Sequence, residues 1–161
     1  MSDQASLPTL EDLLRDSGLG EKAEKIDGQM YRMQWGSAFV IVGTSGSAIV
    51  AIAPLFQHLP AGQEEAFFRK LLEHNAYMGG MASFAIQPDG WVVLHAGRAL
   101  KGLDAHEFAV LVSSVGRFAD QFDDELIAEF FAPKGGDAAA AEGDAAAAES
   151  DAAGNGADSP S

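Results

Sequence analysis

Ala38-Phe-Val-Ile-Val-Gly-Thr-Ser-Gly-Ser-Ala-Ile-Val-Ala-Ile-Ala53 carries most of what this chain says about its architecture. Two apolar, β-branched runs, Ala38–Val42 and Ala48–Ala53, flank a break at Gly43-Thr-Ser-Gly46. That composition favours extended backbone, and the break has the length of a hairpin. Immediately upstream, Met30–Trp35 is a third strand-like segment, separated by Gly36-Ser37. Three strands with short breaks predict an antiparallel meander. The runs do not alternate. Phe39, Val40, Ile41 and Val42 are consecutive, as are Ile49 to Ile52 and, further on, Trp91 to Leu94. An antiparallel sheet with one wet face should alternate apolar and polar residues. Part of the second face is therefore expected to meet a second subunit or a client.

Outward from the meander the period changes. Gln63 to Met78 places Phe67, Phe68, Leu71, Leu72 and Asn75 on one side of a helix, and Gly79-Gly80 ends it. Met81–Gln87 and Trp91–Ala96 read as two strands joined through Pro88-Asp89-Gly90. Asp104 with Glu107 caps a long final helix, whose apolar residues from Phe108 to Phe130 step by three and four. Towards the N-terminus, Thr9 with Asp12 opens a short helix carrying Leu10, Leu13 and Leu14. The order is α-β-β-β-α-β-β-α. It predicts an α+β domain over residues 1–132 with one antiparallel five-stranded sheet packed by helices. Residues 133–161 are nearly all Ala, Gly, Asp, Glu and Ser, with Asp-Ala-Ala-Ala-Ala-Glu at 137–142 echoed at 144–149. With nothing large and apolar to bury, they read as a disordered acidic tail.

The chain of 161 residues has a net charge of −14 and no cysteine. The tail contributes −5 and the body −9. An acidic body repels phosphate and anionic lipid, so direct nucleic-acid or membrane binding is not expected, whereas a basic partner is favoured. That partner could itself bind nucleic acid. The lack of cysteine fits a reducing cytoplasm. The N-terminus shows no signal peptide, and no apolar run approaches the ~20 residues of a membrane span.

No catalytic constellation emerges. His106-Glu107 begins like the zinc-protease pattern, but Val110 stands where the second histidine belongs. Gly43-Thr-Ser-Gly-Ser47 lacks the closing glycine of a nucleophile elbow and joins two strands. His58, His74, His95 and His106 lack ligand spacing and read as solvated or locally hydrogen-bonded. Asp120, Asp123, Asp124, Glu125 and Glu129 lie along a helix and read as a solvated face. No cofactor is expected. Met30, Met33, Met78 and Met81 suit either core gaps or an adaptable binding surface. Trp35 and Trp91 are large enough to anchor a core or an interface. A non-catalytic protein-binding module is the expectation, against the alternative of a small enzyme with an unrecognised site.

Phe67-x3-Leu71-Leu72-x2-Asn75, Ser83-Phe-Ala-Ile86, Gly90-Trp-Val-Val-Leu94 and the long final helix, in this element order, resemble the YbjN-like proteins, which share the fold of class I type III secretion chaperones. The resemblance covers about Leu7 to Phe131 and implies a small homodimer, chaperone-like or regulatory, that binds a client protein without ATP. In such chaperones the last strands and second helix form the dimer, which implicates Trp91, Val93 and His95. For the client, the short first helix (Leu10, Leu13, Leu14) beside Met30, Arg32, Met33 and Gln34 is the expected surface. There Met30–Trp35, first in the meander, would be an edge strand open to strand addition.

Overall fold

The computed structural model describes residues 7–132, and the expected acidic tail lies outside them. The meander forms. β1 (Glu24–Asp27), β2 (Met30–Trp35), β3 (Ala38–Ser45) and β4 (Ala48–Phe56) pair antiparallel in sequence order. The sheet has six strands rather than five, in the order β1-β2-β3-β4-β6-β5. β1 is the unexpected strand, and it corrects the reading of β2 as an edge. Its sequence Glu-Lys-Ile-Asp has no apolar row, and all four residues are exposed. What holds it is local pairing. Glu24 lies opposite Arg32 with a 2.7 Å ion pair, and Lys25 sits over the Tyr31 ring. Such charged, short strands are how sheets blunt their edges.

β4 runs further than expected, through Pro54 to Phe56; its pairing with β3 ends at Ile52, so the proline lies past that ladder, while pairing with β6 continues with a register shift between Pro54 and Phe56. The chain then passes through α2 (Glu64–Met78) to β5 (Ser83–Ile86) and returns in β6 (Val92–Ala99), which pairs with both β4 and β5. α1 (Leu10–Asp16) starts with the expected capping box: Thr9 Oγ1 accepts the Asp12 N–H at 3.1 Å. α3 (Ala105–Leu126) is capped by Asp104, which accepts the Glu107 N–H, and ends in a π-helical turn, Ile127–Phe131.

All three helices share one face of the sheet. Leu10, Leu13 and Leu14 of α1, Phe67, Leu71 and Met78 of α2, and the apolar row of α3 from Phe108 to Leu126 join a single core cluster. The sheet contributes Met33, Val40, Val42, Ile49, Ala51, Ala53 and Leu94 to it, all from the same pleat face. Each of the Val, Ile, Leu and Met side chains contributes roughly 1.5–3 kcal/mol when fully buried, the alanines less. Two glycines make this packing possible. A Cβ on Gly116 in α3 would run into the Trp35 indole. One on Gly36, at φ +54, would overlap the Asp120 carboxylate, which accepts the Ser37 N–H at 2.7 Å. Ser37 Oγ also donates to Asp123 at 2.9 Å. Part of the acidic row read as merely solvated thus ties α3 to the β2–β3 turn. Lys70 extends the tie, bridging Glu125 at 2.8 Å and Glu129 at 3.1 Å.

Candidate functional site

The opposite face of the sheet carries no described helix. Period-two alternation sends Met30, Arg32 and Gln34 of β2, Phe39 and Ile41 of β3, Val50, Ile52 and Pro54 of β4, and Val93 and His95 of β6 to that side. Register brings them together: Gln34 faces Phe39, Arg32 faces Ile41, Ile41 faces Ile52, Ile52 faces His95 and Pro54 faces Val93. None of Phe39, Ile41, Val50, Ile52 and Val93 belongs to the core cluster. They form a second apolar band, half-buried except for Val93, which is buried. The polar margin is Arg32, held to Glu24, and Gln34, whose amide donates to Gly36 O at 2.8 Å and Ala38 O at 2.9 Å. Met30 lies over Gly43, whose missing side chain leaves room for it.

The expected site residues separate on this plan. Met30, Arg32 and Gln34 do share the open face, with Met30 40% exposed. Met33 does not; it is 1% exposed, on the core side of β2. Leu10, Leu13 and Leu14 are likewise core residues, 2–3% exposed, because α1 packs on α3. The expectation that they line an accessible groove is therefore corrected. A hollow of about 590 Å³ does lie beside α1, but apart from Leu14 its walls are Glu11, Arg15, Glu21, Tyr31 and glycines. There the Glu11 carboxyl is held below its usual pKa by its own backbone N–H and by the Tyr31 hydroxyl. Nor is Met30–Arg32 an open edge, since β1 pairs with it. Among the residues expected at a dimer contact, Trp91 and His95 keep exposed surface, while Val93 is 3% exposed and has almost none left to bury.

α2 corrects a second expectation. The sequence pattern puts Leu72 on its buried side, but Leu72 is 67% exposed, and Tyr77 is 70% exposed. The buried position falls to His74 instead. Its ring stacks on Phe122 with centroids 4.0 Å apart, and its Nε2, with no hydrogen-bond partner among the described residues, is 3.6 Å from Glu125. Burial pushes its pKa below the usual imidazole value. Leu72 and Tyr77 on α2 and Ile86, 47% exposed, on the neighbouring β5 are apolar residues left uncovered on these two elements. At period 3.6 Phe67, Leu71, His74 and Met78 fall in one line, and Leu72 lies outside it.

Chemically these surfaces offer apolar area and sheet edges, the ingredients for holding an extended or helical segment of another chain. Among the described residues no cluster of three or more His, Asp or Glu could hold a metal ion, and no helix is long and apolar enough to cross a membrane.

Residues 9–120 match the model of the Tir chaperone protein (CesT) family. No curated protein matches the chain by sequence. Among solved structures, a chain of the heterodimeric ExoU–SpcU complex from the type III secretion system of Pseudomonas aeruginosa aligns with a TM-score of 0.56 at 14% identity, over 72% of this chain and 96% of that one. A chain of the ExsC–ExsE complex aligns with a TM-score of 0.52 at 14% identity, over 73% and 96%. At such identities the likeness speaks for the fold: a helix-packed antiparallel sheet of the type III secretion chaperone kind.

Proposed function

The chain belongs to the Tir chaperone protein (CesT) family, and from that membership we propose that it binds a client protein, without catalysis, on the open apolar face of its sheet. The observation that carries this reading is the band of Phe39, Ile41, Val50 and Ile52, aligned by register and left without a helix. Met30 at its margin supplies an adaptable side chain suited to varied apolar segments. The acidic body, −9 before the tail, steers a basic client towards this surface and raises the encounter rate more than the affinity.

The working unit we propose is a homodimer in the cytoplasm, joined at the α2 and β5 flank through Leu72, Tyr77 and Ile86, with Trp91 and His95 nearby. Exposed aromatic side chains such as Tyr77 and Trp91 are the residue types enriched at the centre of an interface. Residues 1–132 constitute the folding unit in this proposal, and 133–161 an appendage that folding does not need. A YbjN-like placement within this fold rests on the residues quoted for it above. The test is affinity capture from native lysate with the full chain and an Ile41→Asp, Ile52→Asp variant. One dominant protein captured by the first and lost by the second, with both folded, is the expected result. Undiminished capture by the variant would remove the open face as the site.

A further inference from the structure

The row that α2 turns inwards has one member unlike the rest. Phe67, Leu71 and Met78 are apolar, and His74, 9% exposed, is buried between Leu71 and Met78. Its Nε2 finds no hydrogen-bond partner among the described residues. α3 brings against it the Phe122 ring and Glu125, 3.6 Å from Nε2. The charged neighbours besides are Glu129 of the π-helical turn and Lys70 and Glu73 of α2 itself; β5 presents only the Phe84 ring, 6.1 Å away. Lys70 already engages Glu125 and Glu129, at 2.8 and 3.1 Å. An imidazolium here would have its carboxylate beyond hydrogen-bond distance and shared with an ammonium. Burial accordingly holds the imidazole below its ordinary pKa.

The half of α2 that holds His74 is lightly fixed. Towards α3 it is held by side chains: His74 and Tyr77 against Phe122, and Lys70 on its two carboxylates. A depression of about 330 Å³, lined by Lys70, Glu73, Tyr77, Gln121 and Glu125, reaches down to His74 and Phe122 and opens this seam to solvent. Beyond Met78 the chain leaves through Gly79 and Gly80, at φ +60 and +82, with no atom within 4 Å of where a Cβ would stand on either. Two such residues can absorb a swing of the helix end without steric cost. The other half is anchored, its Phe67 ring edge-on to Phe56, Phe130 and Phe131.

We propose that His74 is a proton-operated latch: on protonation the C-terminal half of α2, Leu71 to Met78, comes away from Phe122 and β5 while the sheet and α3 stay folded. In the released state the imidazolium is hydrated, and the Phe84 N–H loses the Asn75 side chain that accepts it at 2.6 Å. The released form takes up its proton near the ordinary value and the closed form only at lower pH, so acid favours release between the two. Leu72 and Tyr77 ride on this half, so the dimer contact proposed for them, on which the latch itself does not depend, is lost with it. Native-state amide exchange of the full chain, followed by 15N NMR across pH and in low urea, tests the latch. The Asn75, Tyr77 and Phe84 amides are expected to exchange through an opening that urea barely promotes, unlike the β3 amides, which exchange through global unfolding. Below about pH 6.5 their protection, corrected for the intrinsic rate, should fall by up to about tenfold per pH unit. His74→Phe should remove that fall, and Leu72→Asp, at an exposed position, should keep it. The His74 imidazole resonances of the unsubstituted chain give a second reading, with a midpoint below about 6.5. Urea dependence equal to that of β3, a fall that persists in His74→Phe, a fall lost in Leu72→Asp, or an imidazole midpoint that is not lowered would each overturn the proposal.

Discussion

Gly116 shows how one residue can carry a packing decision. In an ordinary helix interior, glycine to alanine stabilises by about 0.5–1 kcal/mol. Here the added Cβ meets the Trp35 indole, so Gly116→Ala is expected to destabilise by about 1–3 kcal/mol. The sign of the shift in a urea melt distinguishes the two cases. His74 is the second such residue. Its pKa is lowered by burial, with Glu125, Glu129 and Glu73 opposing the shift and Lys70 adding to it. As pH falls through about 6.5 the unfolded chain takes up the proton first. The folded state therefore loses stability on acidification, down to the folded pKa. The melting temperature should fall over this window, and His74→Phe, which keeps a ring against Phe122, should flatten that part of the profile. A variant with the parent's full pH dependence would assign the effect elsewhere. The Thr9 and Asp12 capping box was legible in sequence because its partners are three residues apart. The burial of Leu10, Leu13 and Leu14 against α3 was not, since a short apolar helix face looks the same whether it meets a core or a client.

At the scale of elements, α3 was readable almost throughout: every apolar position expected on its inner row, Phe108 to Phe130, is buried. A regular repeat over six turns leaves one orientation. β1 was not readable, because an edge strand of charged residues has no apolar row and is held by pairing with β2. α2 was read with Leu72 turned inwards because four large residues in a short helix admit two apolar faces, and only the neighbours decide which is covered. Asn75, expected on the buried side, contributes a polar function there. Its side chain bonds both the N–H and the C=O of Phe84, replacing a strand at the outer edge of β5. Asn75→Ala is expected to cost about 1–3 kcal/mol by leaving these backbone groups unpaired, measured by chemical denaturation. A neutral result would mean that water replaces the side chain without loss.

The molecule as a whole has a finished core and two unfinished surfaces. Core residues run from Leu10 to Phe130, so truncation after Ala132 is expected to leave the melting temperature nearly unchanged. A drop of several degrees would mean that the tail contributes to folding. Sedimentation equilibrium should give about twice the 16.8 kDa chain mass. A Leu72→Asp, Tyr77→Ser variant should return it to one chain with the fold intact; a parent that is monomeric throughout would remove the dimer from the proposal.

Local order is what the sequence determined alone: the meander from Ala38 to Ala53, the capped helices, the α+β class and the excess of apolar strand residues over what one core can bury. These follow from periodicity and turn chemistry, which act over a few residues. The side of the sheet that stays uncovered was settled only when α1, α2 and α3 packed on the same face, a choice made by contacts far apart in sequence such as Trp35 on Gly116 and Ser37 on Asp120. The same long-range packing turned three leucines of α1 from a candidate groove into core, and it left Ile41 and Ile52, which look no different from Val40 and Ala51 in sequence, facing outwards.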